Sequence, residues 1–348
     1  MKKINTNSYK ICFGEDGYGY LKKIIEKNSY SKIFVIVDEN TRKFCLDFFI
    51  KKSLIEPHLI EIEAGENFKK ISTCEKVWLQ LSKSSADRNS LIINLGGGVI
   101  TDMGGFIAST FKRGINFINI PTTLLSMVDA SLGSKTGINL DLLKNQIGLF
   151  SDPKLVIIDL EYLKTLNERQ MKSGYAEIFK HSIISNSIYK NLIEDPCLLY
   201  NENIIYNSIN VKNKIVSADK FESNIRKYLN FGHTIGHAVE SLFLKRKNKL
   251  LHGEAIAIGM ICESYISHKK TKFSLKKAIE IRDHLNSVFP KVNFNNNDLS
   301  TILQLIKHDK KNYLDKVKFV LIEEIGKMEI DIEVSERLIM NAFKFYLD

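Results

Sequence analysis

The residues with the clearest potential for chemistry lie between Asn230 and Glu254. His233 and His237 stand four apart in the segment NFGHTIGH, and His252 follows in the turn-like sequence Leu-His-Gly-Glu. Imidazole is the commonest metal ligand at physiological pH, and residues four apart on a helix share one face. A third ligand from a nearby turn would leave a coordination position open for substrate. The three histidines therefore predict a metal centre, with capped or core histidines an equal alternative for the first pair taken alone.

The acidic ligand of such a centre cannot be chosen from local spacing. Glu177, Lys180 and His181 share one helical face by their i, i+3, i+4 spacing, which also describes an ordinary salt-bridged helix. Glu254 follows the last histidine closely and is an equal candidate. The two histidines four apart also match the HExxH spacing of zinc proteases, but Thr234 replaces the general-base glutamate. The sequence therefore argues against a metalloprotease.

A glycine-rich turn is a candidate for binding a nucleotide cofactor. The string GGGVITD begins at Gly96, directly after the apolar run Ser90–Leu95. Glycines let a backbone approach a pyrophosphate, and the amides of a following helix favour an anion. The string is not a GxGxxG fingerprint, and a plain tight turn explains it equally well. The hydroxyls of Thr122 and Thr123, after another strand-like run, could contact a ribose or phosphate, although helix capping explains them better.

Several cations precede or lie within loop-like sequence. Arg113 precedes a glycine, and Lys135, Lys144 and Asn145 lie in a segment rich in Gly, Ser and Asn. Cations in such a setting suit an anionic substrate. Each one taken singly is better explained as a solvated surface charge.

The elements that must position these residues change character near residue 168. Before it, helical patterns such as Lys70–Ser82 alternate with strand-like runs, which are Lys32–Val37, His58–Ile62, Ser90–Leu95, Phe117–Ile120 and Lys154–Ile158. After it, five helical segments precede a short strand pair, Val317–Ile322 with Lys327–Ile330. This order predicts an α/β domain over 1–168 with a parallel sheet and a nucleotide-binding site, and a mainly α-helical, metal-binding domain over 169–348. Because ligands bind at the carboxyl ends of parallel strands, we expect the site in the cleft between the domains.

Composition narrows the class of protein. The 348 residues contain 50 Lys and Arg against 40 Asp and Glu, a formal charge of +10. The lysines are spread along the chain without a basic block, so we expect no nucleic-acid partner. No apolar run is long enough to span a bilayer, and no signal peptide follows Met1, so we expect no membrane partner. Five separated cysteines without a CxxC motif predict a reduced, cytoplasmic chain.

The ordered set of motifs resembles the 3-dehydroquinate synthase family, within the sugar-phosphate cyclase superfamily. The resemblance covers essentially the whole chain and is densest from Gly96 to Lys180 and from Lys212 to Met260. It rests on the strings GGGVITD, KRG, PTTLLSMVDASLGSKTGIN, LKNQIG, LKTL, SGYAEIFKH, LNFGHTIGHAVE and LHGEAIAIGM.

The resemblance implies three sets of site residues. The implied metal ligands, for zinc or cobalt, are Glu177, His233 and His252. The implied NAD-binding residues are Asp38, Asn40, Gly65, Glu66, Lys69, Gly97, Gly98, Asp102, Thr122, Thr123, Asp129, Lys144, Leu163 and Thr165. The implied substrate-binding and catalytic residues are Arg113, Lys135, Asn145, Lys180, Lys212, Arg226, Asn230, His237 and, in the pair Lys310-Lys311, Lys310.

Three positions depart from the family pattern. Ser134 and Leu143 replace common glycines near the substrate residues, and Thr101 replaces a glycine before Asp102. A Cβ costs little where φ is negative and more where φ must be positive. No implied metal or cationic residue is missing, so an active enzyme is expected.

The activity implied by the resemblance is a step of aromatic amino-acid biosynthesis, the shikimate pathway. 3-Deoxy-D-arabino-heptulosonate 7-phosphate, a phosphorylated sugar acid, would become 3-dehydroquinate and phosphate. NAD would be used catalytically with a divalent metal ion, in a homodimer. A related cyclase that makes a valiolone or an inosose, a metal-dependent polyol dehydrogenase, and an inactive binding or nucleic-acid-binding protein are the alternatives.

Overall fold

The chain divides into two structural units. The computed structural model describes residues 3–141, 143–195, 201–244, 246–307 and 317–348. Contacts between Cα atoms divide the chain into residues 1–167 and 168–348. This division lies within one residue of the boundary predicted from the sequence, between residues 168 and 169. The assignment of NAD to the first unit and of the metal to the second stays a prediction. Within the described ranges, no helix is long and apolar enough to cross a membrane.

The N-terminal unit is built on a seven-stranded sheet with a separate two-stranded hairpin. Its strands are β1 (Lys3–Asn5), β2 (Lys10–Phe13), β3 (Ile33–Asp38), β4 (His58–Ile62), β5 (Leu91–Gly96), β6 (Asn116–Pro121), β7 (Lys135–Leu140), β8 (Leu143–Phe150) and β9 (Leu155–Ile158). The sheet order is β1-β2-β9-β6-β5-β3-β4, and only β1 pairs antiparallel within it. The predicted parallel sheet is therefore confirmed.

Helices accompany the strands, as the alternating pattern predicted. They are α1 (Gly14–Asn28), α2 (Glu39–Phe44), α3 (Leu46–Ser53), α4 (Ile71–Lys83) and α5 (Gly98–Thr110). Every residue of β5 is buried, which explains why its sequence is a continuous apolar run and not an alternating one. The apolar side of α4, including Val77 and Leu81, packs with Ile92 of β5 and Ile107 of α5 in one core cluster.

The strand order places a topological switch point between β3 and β5. From β3 the chain adds β4 on one side, and then returns to form β5 on the other side. Asp38 ends β3, and Gly96 ends β5. Ligands of doubly wound sheets bind beyond the carboxyl ends of the strands at such a point. The predicted nucleotide-binding residues after these strands therefore occupy the expected edge of the sheet.

The segment of Lys135, Lys144 and Asn145 was predicted to be loop-like, and this prediction is wrong. Strands β7 and β8 form an antiparallel hairpin in which Gly137 pairs with Gly148. A Cβ on Gly148 would lie 2.3 Å from the carbonyl oxygen of Thr136, so this crossing requires glycine. The glycines that resembled a loop signal therefore serve close strand pairing.

The C-terminal unit is mainly helical, as predicted. Its helices are α6 (Glu168–Ser185), α7 (Tyr189–Glu194), α8 (Glu202–Ala218), α9 (His233–Leu244), α10 (His252–Lys270), α11 (Leu275–Val288), α12 (Asn296–Lys307) and α13 (Glu336–Leu347). The strands β10 (Lys318–Glu324) and β11 (Lys327–Glu333) form the predicted antiparallel pair. Helix α10 is the centre of the unit, because it is buried along most of its length and packs against α6, α9, α11 and α13.

Candidate metal and nucleotide sites

Three side chains of the C-terminal unit converge as a ligand set. Glu177 lies in the middle of α6, while His233 and His252 are the first residues of α9 and α10. The Oε1 atom of Glu177 lies 3.6 Å from Nε2 of His233 and 3.6 Å from Nε2 of His252. One ligand atom from each residue lies within 4.8 Å of the others. A carboxylate and two imidazoles at these separations can bind one divalent cation and leave a position open.

The second nitrogen of each imidazole is oriented by the protein. His233 Nδ1 lies 3.1 Å from the carbonyl oxygen of Phe231, and His252 Nδ1 lies 3.2 Å from Oε2 of Glu240. Metal-bound histidines characteristically donate their other N–H to a carbonyl or carboxylate, which fixes the tautomer. Both Nε2 atoms are thereby presented to Glu177. The residues present therefore fit a divalent metal ion.

The two histidines differ in their protonation. Burial, followed by the positive charge of Lys180, lowers the pKa of His233 well below its usual value. Burial also acts to lower the pKa of His252, but Glu240 and Glu177 outweigh it and raise this pKa to about 9. A bound cation would favour neutral imidazole at both positions, since metal binding releases protons from its ligands.

The partners of Glu254 favour Glu177 as the acidic ligand, a choice that local spacing left open and that stays a prediction. Arg169 donates to both carboxylate oxygens of Glu254, with Nε–Oε1 and Nη2–Oε2 distances of 2.7 and 2.8 Å. The amide of Leu251 also donates to Oε2, at 2.7 Å. Glu254 thus caps the start of α10 and supports the turn of His252, while Glu177 faces the two histidines.

Two predicted catalytic residues lie beside the ligand set. The ring of His237 is 5.0 Å from that of His233 and 5.9 Å from that of His252, measured between centroids. Lys180, which is 1% exposed, forms an ion pair with Glu177. The structure therefore brings a third imidazole and a buried ammonium group to the candidate metal centre.

Three further predicted residues lie on the neighbouring elements of this unit. Lys212 is buried on α8, which packs against α6 and against the short helix Ile225–Asn230. The guanidinium of the buried Arg226 donates to the carbonyl of Lys220, and Asn230 Nδ2 lies 2.5 Å from Oε1 of Glu222. Their contacts with substrate stay predictions. Lys310 lies outside the described residues.

A carboxylate organises the turn that carries Arg226. Asp219 Oδ2 accepts hydrogen bonds from the amides of Asn224 and Arg226, at 2.7 and 3.1 Å. Burial acts to raise the pKa of Asp219, but these bonds and those from Ser223 lower it to about 2. Asp219 therefore stays ionised at neutral pH and fixes the backbone that presents the guanidinium.

In the N-terminal unit, the glycine turn meets the start of α5. Helix α5 begins at Gly98, and the amide of Thr122 donates to the carbonyl of Gly96 at 3.0 Å. A Cβ on Gly97 would lie 3.2 Å from Cγ2 of Thr123, and one on Gly98 would lie 3.2 Å from Cβ of Ala130. A full helix beginning at a turn without side chains offers its amides to an anion.

A buried lysine links the predicted cofactor and substrate sets. Nζ of Lys69, which is 3% exposed, lies 2.6 Å from Oδ2 of Asp102 and 2.6 Å from Oδ1 of Asn145. The amide of Asn145 donates to Oδ1 of Asn139 at 2.9 Å. Residues assigned to NAD and to substrate therefore share one polar network in this unit.

Glu66 extends the same network. Its Oε1 atom accepts from Nδ2 of Asn139 at 2.8 Å and lies 3.7 Å from Nζ of Lys144. Asn139 was not predicted, because a lone Asn in a glycine-rich segment carries no distinguishing signal. Glu240 was also missed, although its position three residues after His237 and seven after His233 puts it on their helical face.

The remaining predicted residues lie at the ends of strands and helices or in short helical turns. Asp38 accepts from the amide of Thr41 at 2.8 Å and caps α2, whose first turn contains the exposed Asn40. Exposed Arg113 ends a short helical turn, and exposed Lys135 begins β7. The others lie in short turns, which are Gly65 after β4, Asp129 in the π-helical turn Ser126–Ala130, and Leu163 and Thr165 in the turn after β9.

The departures from the family pattern have different backbone settings. Ser134 has φ +65°, so its Cβ is tolerated at a cost, and its hydroxyl donates to Asp152. Thr101 lies inside α5, where a Cβ is compatible with the backbone. Ser134 and Thr101 therefore differ in the backbone strain that they add.

Comparison with known proteins agrees with this arrangement. The N-terminal model of 3-dehydroquinate synthase matches residues 59–173, and the C-terminal model matches residues 174–312. The chain is 39% identical to a 3-dehydroquinate synthase of Parabacteroides distasonis over 97% of each chain. It is 37% identical to one of Pelagibacter ubique, over 97% of this chain and 96% of that one.

A solved structure shows the same architecture. A 2-deoxy-scyllo-inosose synthase complexed with carbaglucose-6-phosphate, NAD+ and Co2+ superposes with a TM-score of 0.85 at 25% identity, over 99% of both chains. The sequence matches cover both units, and the switch-point glycines and the ligand set lie in the segments that the two family models match. On these grounds the chain belongs to the 3-dehydroquinate synthase family.

Proposed function

We propose that this chain converts 3-deoxy-D-arabino-heptulosonate 7-phosphate to 3-dehydroquinate and phosphate, with NAD and a divalent metal ion as cofactors. The observation that carries the proposal is the convergence of Glu177, His233 and His252. The Nδ1 atom of each histidine contacts another residue, which leaves its Nε2 atom towards the Glu177 carboxylate. The proposal is also supported by relatives that match nearly the full length of the chain and are 3-dehydroquinate synthases. The enzyme is accordingly a carbon–oxygen lyase.

Glu177, His233 and His252 hold the metal ion in this proposal. A carboxylate with two imidazoles suits zinc or cobalt. When bound, the metal polarises substrate hydroxyl groups and NAD accepts and returns a hydride. The chain's own contribution is to hold one substrate conformer in a charged pocket while successive steps proceed.

Lys180 has two roles in this scheme. Its ammonium group compensates the buried Glu177 carboxylate, and it is a candidate contact for an anionic or hydroxylated substrate. His237, whose ring lies 5.0 and 5.9 Å from the rings of His233 and His252, is the candidate for proton transfer near the leaving phosphate.

The substrate's carboxylate and phosphate require further cations. We assign these contacts to the remaining members of the substrate set, which are the cations Arg113, Lys135, Lys212, Arg226 and Lys310 and the amide side chains of Asn145 and Asn230. Arginine's planar fork suits a carboxylate or phosphate, and lysine serves as a compact charge. A substrate that carries both anions would use such a set more fully than a neutral polyol.

NAD binds beyond the carboxyl ends of β3, β4, β5 and β6 in this proposal. The end of each of these strands is marked by a pair of predicted NAD-binding residues, which lie at or just after the last strand residue: Asp38 and Asn40, Gly65 and Glu66, Gly97 and Gly98, and Thr122 and Thr123. The start of α5 faces the pyrophosphate, and Asp38 at the switch point suits a ribose hydroxyl. The network of Lys69, Asp102 and Lys144 completes the predicted cofactor set.

The test of the activity follows phosphate release and carbocycle formation together. Purified protein is incubated with the heptulosonate phosphate, NAD and Zn2+, and absorbance at the NADH band is recorded in parallel. We expect one phosphate per carbocycle and no net NADH. Stoichiometric NADH would instead indicate a polyol dehydrogenase, and turnover of a different sugar phosphate in a substrate panel would indicate a related cyclase.

We also propose a homodimer in the cytoplasm. The dimer follows from the family resemblance, and sedimentation velocity tests it directly. The location is supported by Cys12, Cys45, Cys74 and Cys262, which are buried free thiols. Fractionation of cells that express the chain tests the location.

A further inference from the structure

A fully buried carboxylate lies against the start of the helix that carries His233. Glu263 of α10 is 0% exposed. Its Oε2 atom accepts from the amide of Gly232 at 2.6 Å, and its Oε1 atom accepts from the amide of Ile235 at 3.1 Å. The two amides flank His233, the first residue of α9.

These amides belong to a part of the helix that needs outside partners. The first amides of an α-helix have no intrahelical acceptor, and a carboxylate satisfies them while matching the positive end of the helix dipole. Capping groups normally come from the same chain segment. Here the cap comes from a neighbouring helix, so it fixes α9 relative to α10 as well as closing its end.

Glycine lets the two helices approach closely enough for this contact. A Cβ on Gly259 would lie 1.9 Å from the carbonyl oxygen of Gly232, so only glycine fits there. Glu263 follows Gly259 by one helical turn on the same face of α10. Gly232 itself has φ +80°, which favours glycine at the bend before α9.

We propose that Glu263 is a positioning residue for the metal centre. Helix α10 begins with the ligand His252 and, through Glu263, holds the backbone on both sides of the ligand His233. One helix therefore sets the separation of the two imidazoles before metal arrives. The inference rests on the proposed metal site.

The test is metal binding by Glu263→Gln. This nearly isosteric change keeps one acceptor oxygen but places an NH2 group against a backbone N–H. We expect Zn2+ affinity, measured by competition with a chelating dye, to fall by about 10- to 100-fold, as for other outer-shell partners of metal ligands. The visible absorption spectrum of the Co2+-loaded protein should change as well, because the imidazole geometry changes.

Cys262→Ala is the matched control. Cys262 is adjacent on α10 and equally buried, but its Sγ atom lies 3.7 Å from the carbonyl of Ala342 in α13. This variant loses buried packing but keeps both hydrogen bonds that Glu263 accepts from the amides of Gly232 and Ile235, so its Zn2+ affinity and Co2+ spectrum should match the wild type. Glu263→Asp keeps the charge with a shorter reach and should recover part of the lost affinity.

A second measurement needs no variant. In the metal-free wild type, the amides of Gly232 and Ile235 should exchange slowly with deuterium, because the carboxylate already binds them. Fast exchange at both amides, or a Glu263→Gln protein with wild-type affinity and spectrum, overturns the inference alone. A wild type that binds neither Zn2+ nor Co2+ overturns the proposed metal site and the inference with it.

Discussion

At the scale of the residue, the first prediction concerns the metal ligands. Glu177→Ala, His233→Ala and His252→Ala should each lose most bound Zn2+ and most activity, because each removes one of three ligand atoms that meet within 4.8 Å. Metal content after gel filtration checks this. The control is His58→Ala, an exposed histidine of β4, which should keep its metal. Stoichiometric Zn2+ in all three ligand variants would falsify the assignment.

Arg226 separates binding of the substrate from binding of the cofactors. Arg226→Ala should lower turnover about 30- to 1000-fold while metal and NAD binding persist, since a desolvated charged contact contributes roughly 2–4 kcal/mol. Steady-state phosphate release measures the loss. Lys227→Ala is the control, because this neighbour pairs with Asp331 at 2.7 Å. Similar turnover in both variants would place Arg226 outside the site.

The candidate metal ligands show what local sequence can and cannot establish. The spacing of the histidines indicated a metal centre, but Glu177 could be chosen over Glu254 only through the family resemblance. The physical reason is that the choice depends on a partner distant in sequence, since Arg169 engages Glu254 in a bidentate pair. No periodicity in the chain encodes that contact.

At the scale of the element, the start of α5 should govern NAD binding. Gly98→Val places a branched side chain where a Cβ alone would already lie 3.2 Å from Ala130, and it covers the amides of the helix start. We expect calorimetric titration to show weakened NAD binding. Gly19→Val on α1 is the control, because no atom lies within 4 Å of its added Cβ. Equal NAD affinity in the Gly98→Val protein and the wild type would remove the glycine turn from the cofactor site.

Helix α6, which carries Glu177, is held to α11 by a buried histidine. His284 Nε2 lies 2.7 Å from the Tyr175 hydroxyl, and its ring stacks on Phe179 with centroids 4.5 Å apart. Burial lowers the pKa of His284 to about 4, against an opposing effect of Glu280. His284 therefore binds a proton below pH ~6.5 in the unfolded chain, but only below about pH 4 in the folded chain.

Stability should consequently fall as pH falls through this window. From pH ~7 to ~5, we expect His284 to remove on the order of 1–2 kcal/mol from the free energy of unfolding. Urea unfolding followed by helical circular dichroism measures the slope, and His284→Gln, which cannot titrate, should flatten it. Parallel slopes in the wild type and the variant would show that His284 does not cause the loss.

The elements were predictable where the hydrophobic pattern was strong. Strands β3, β5, β6 and β9 are apolar runs closed by Asp, Gly or Pro, and most of their residues are buried. Strand β4 alternates apolar and polar residues, and only its Ile60 and Ile62 are buried. Hairpin β7–β8 was missed, because Gly137 and Gly148 resemble loop residues and its stability comes from packing on α5. Helices α7, α12 and α13 were also not predicted. Tertiary contacts, more than local propensity, decide such segments.

At the scale of the whole molecule, the two units should respond to different ligands. The three proposed metal ligands lie in residues 168–348, whereas the glycine turn and its network lie in 1–167. A ligand that binds the folded state stabilises it by RT ln(1 + [L]/Kd), about 2.7 kcal/mol at 100 times Kd. Because each ligand stabilises the structure it contacts, Zn2+ and NAD should protect different parts of the chain.

Hydrogen–deuterium exchange of the metal-free protein provides the measurement. Zn2+ should slow exchange in peptides that cover Glu177, His233 and His252, and NAD should slow it in the peptide that joins β5 to α5. In Glu177→Ala, the effect of Zn2+ should disappear while that of NAD persists, which separates metal loss from global unfolding. If Zn2+ protected the β5–α5 peptide as strongly as the ligand peptides, the assignment of one ligand to each unit would be wrong.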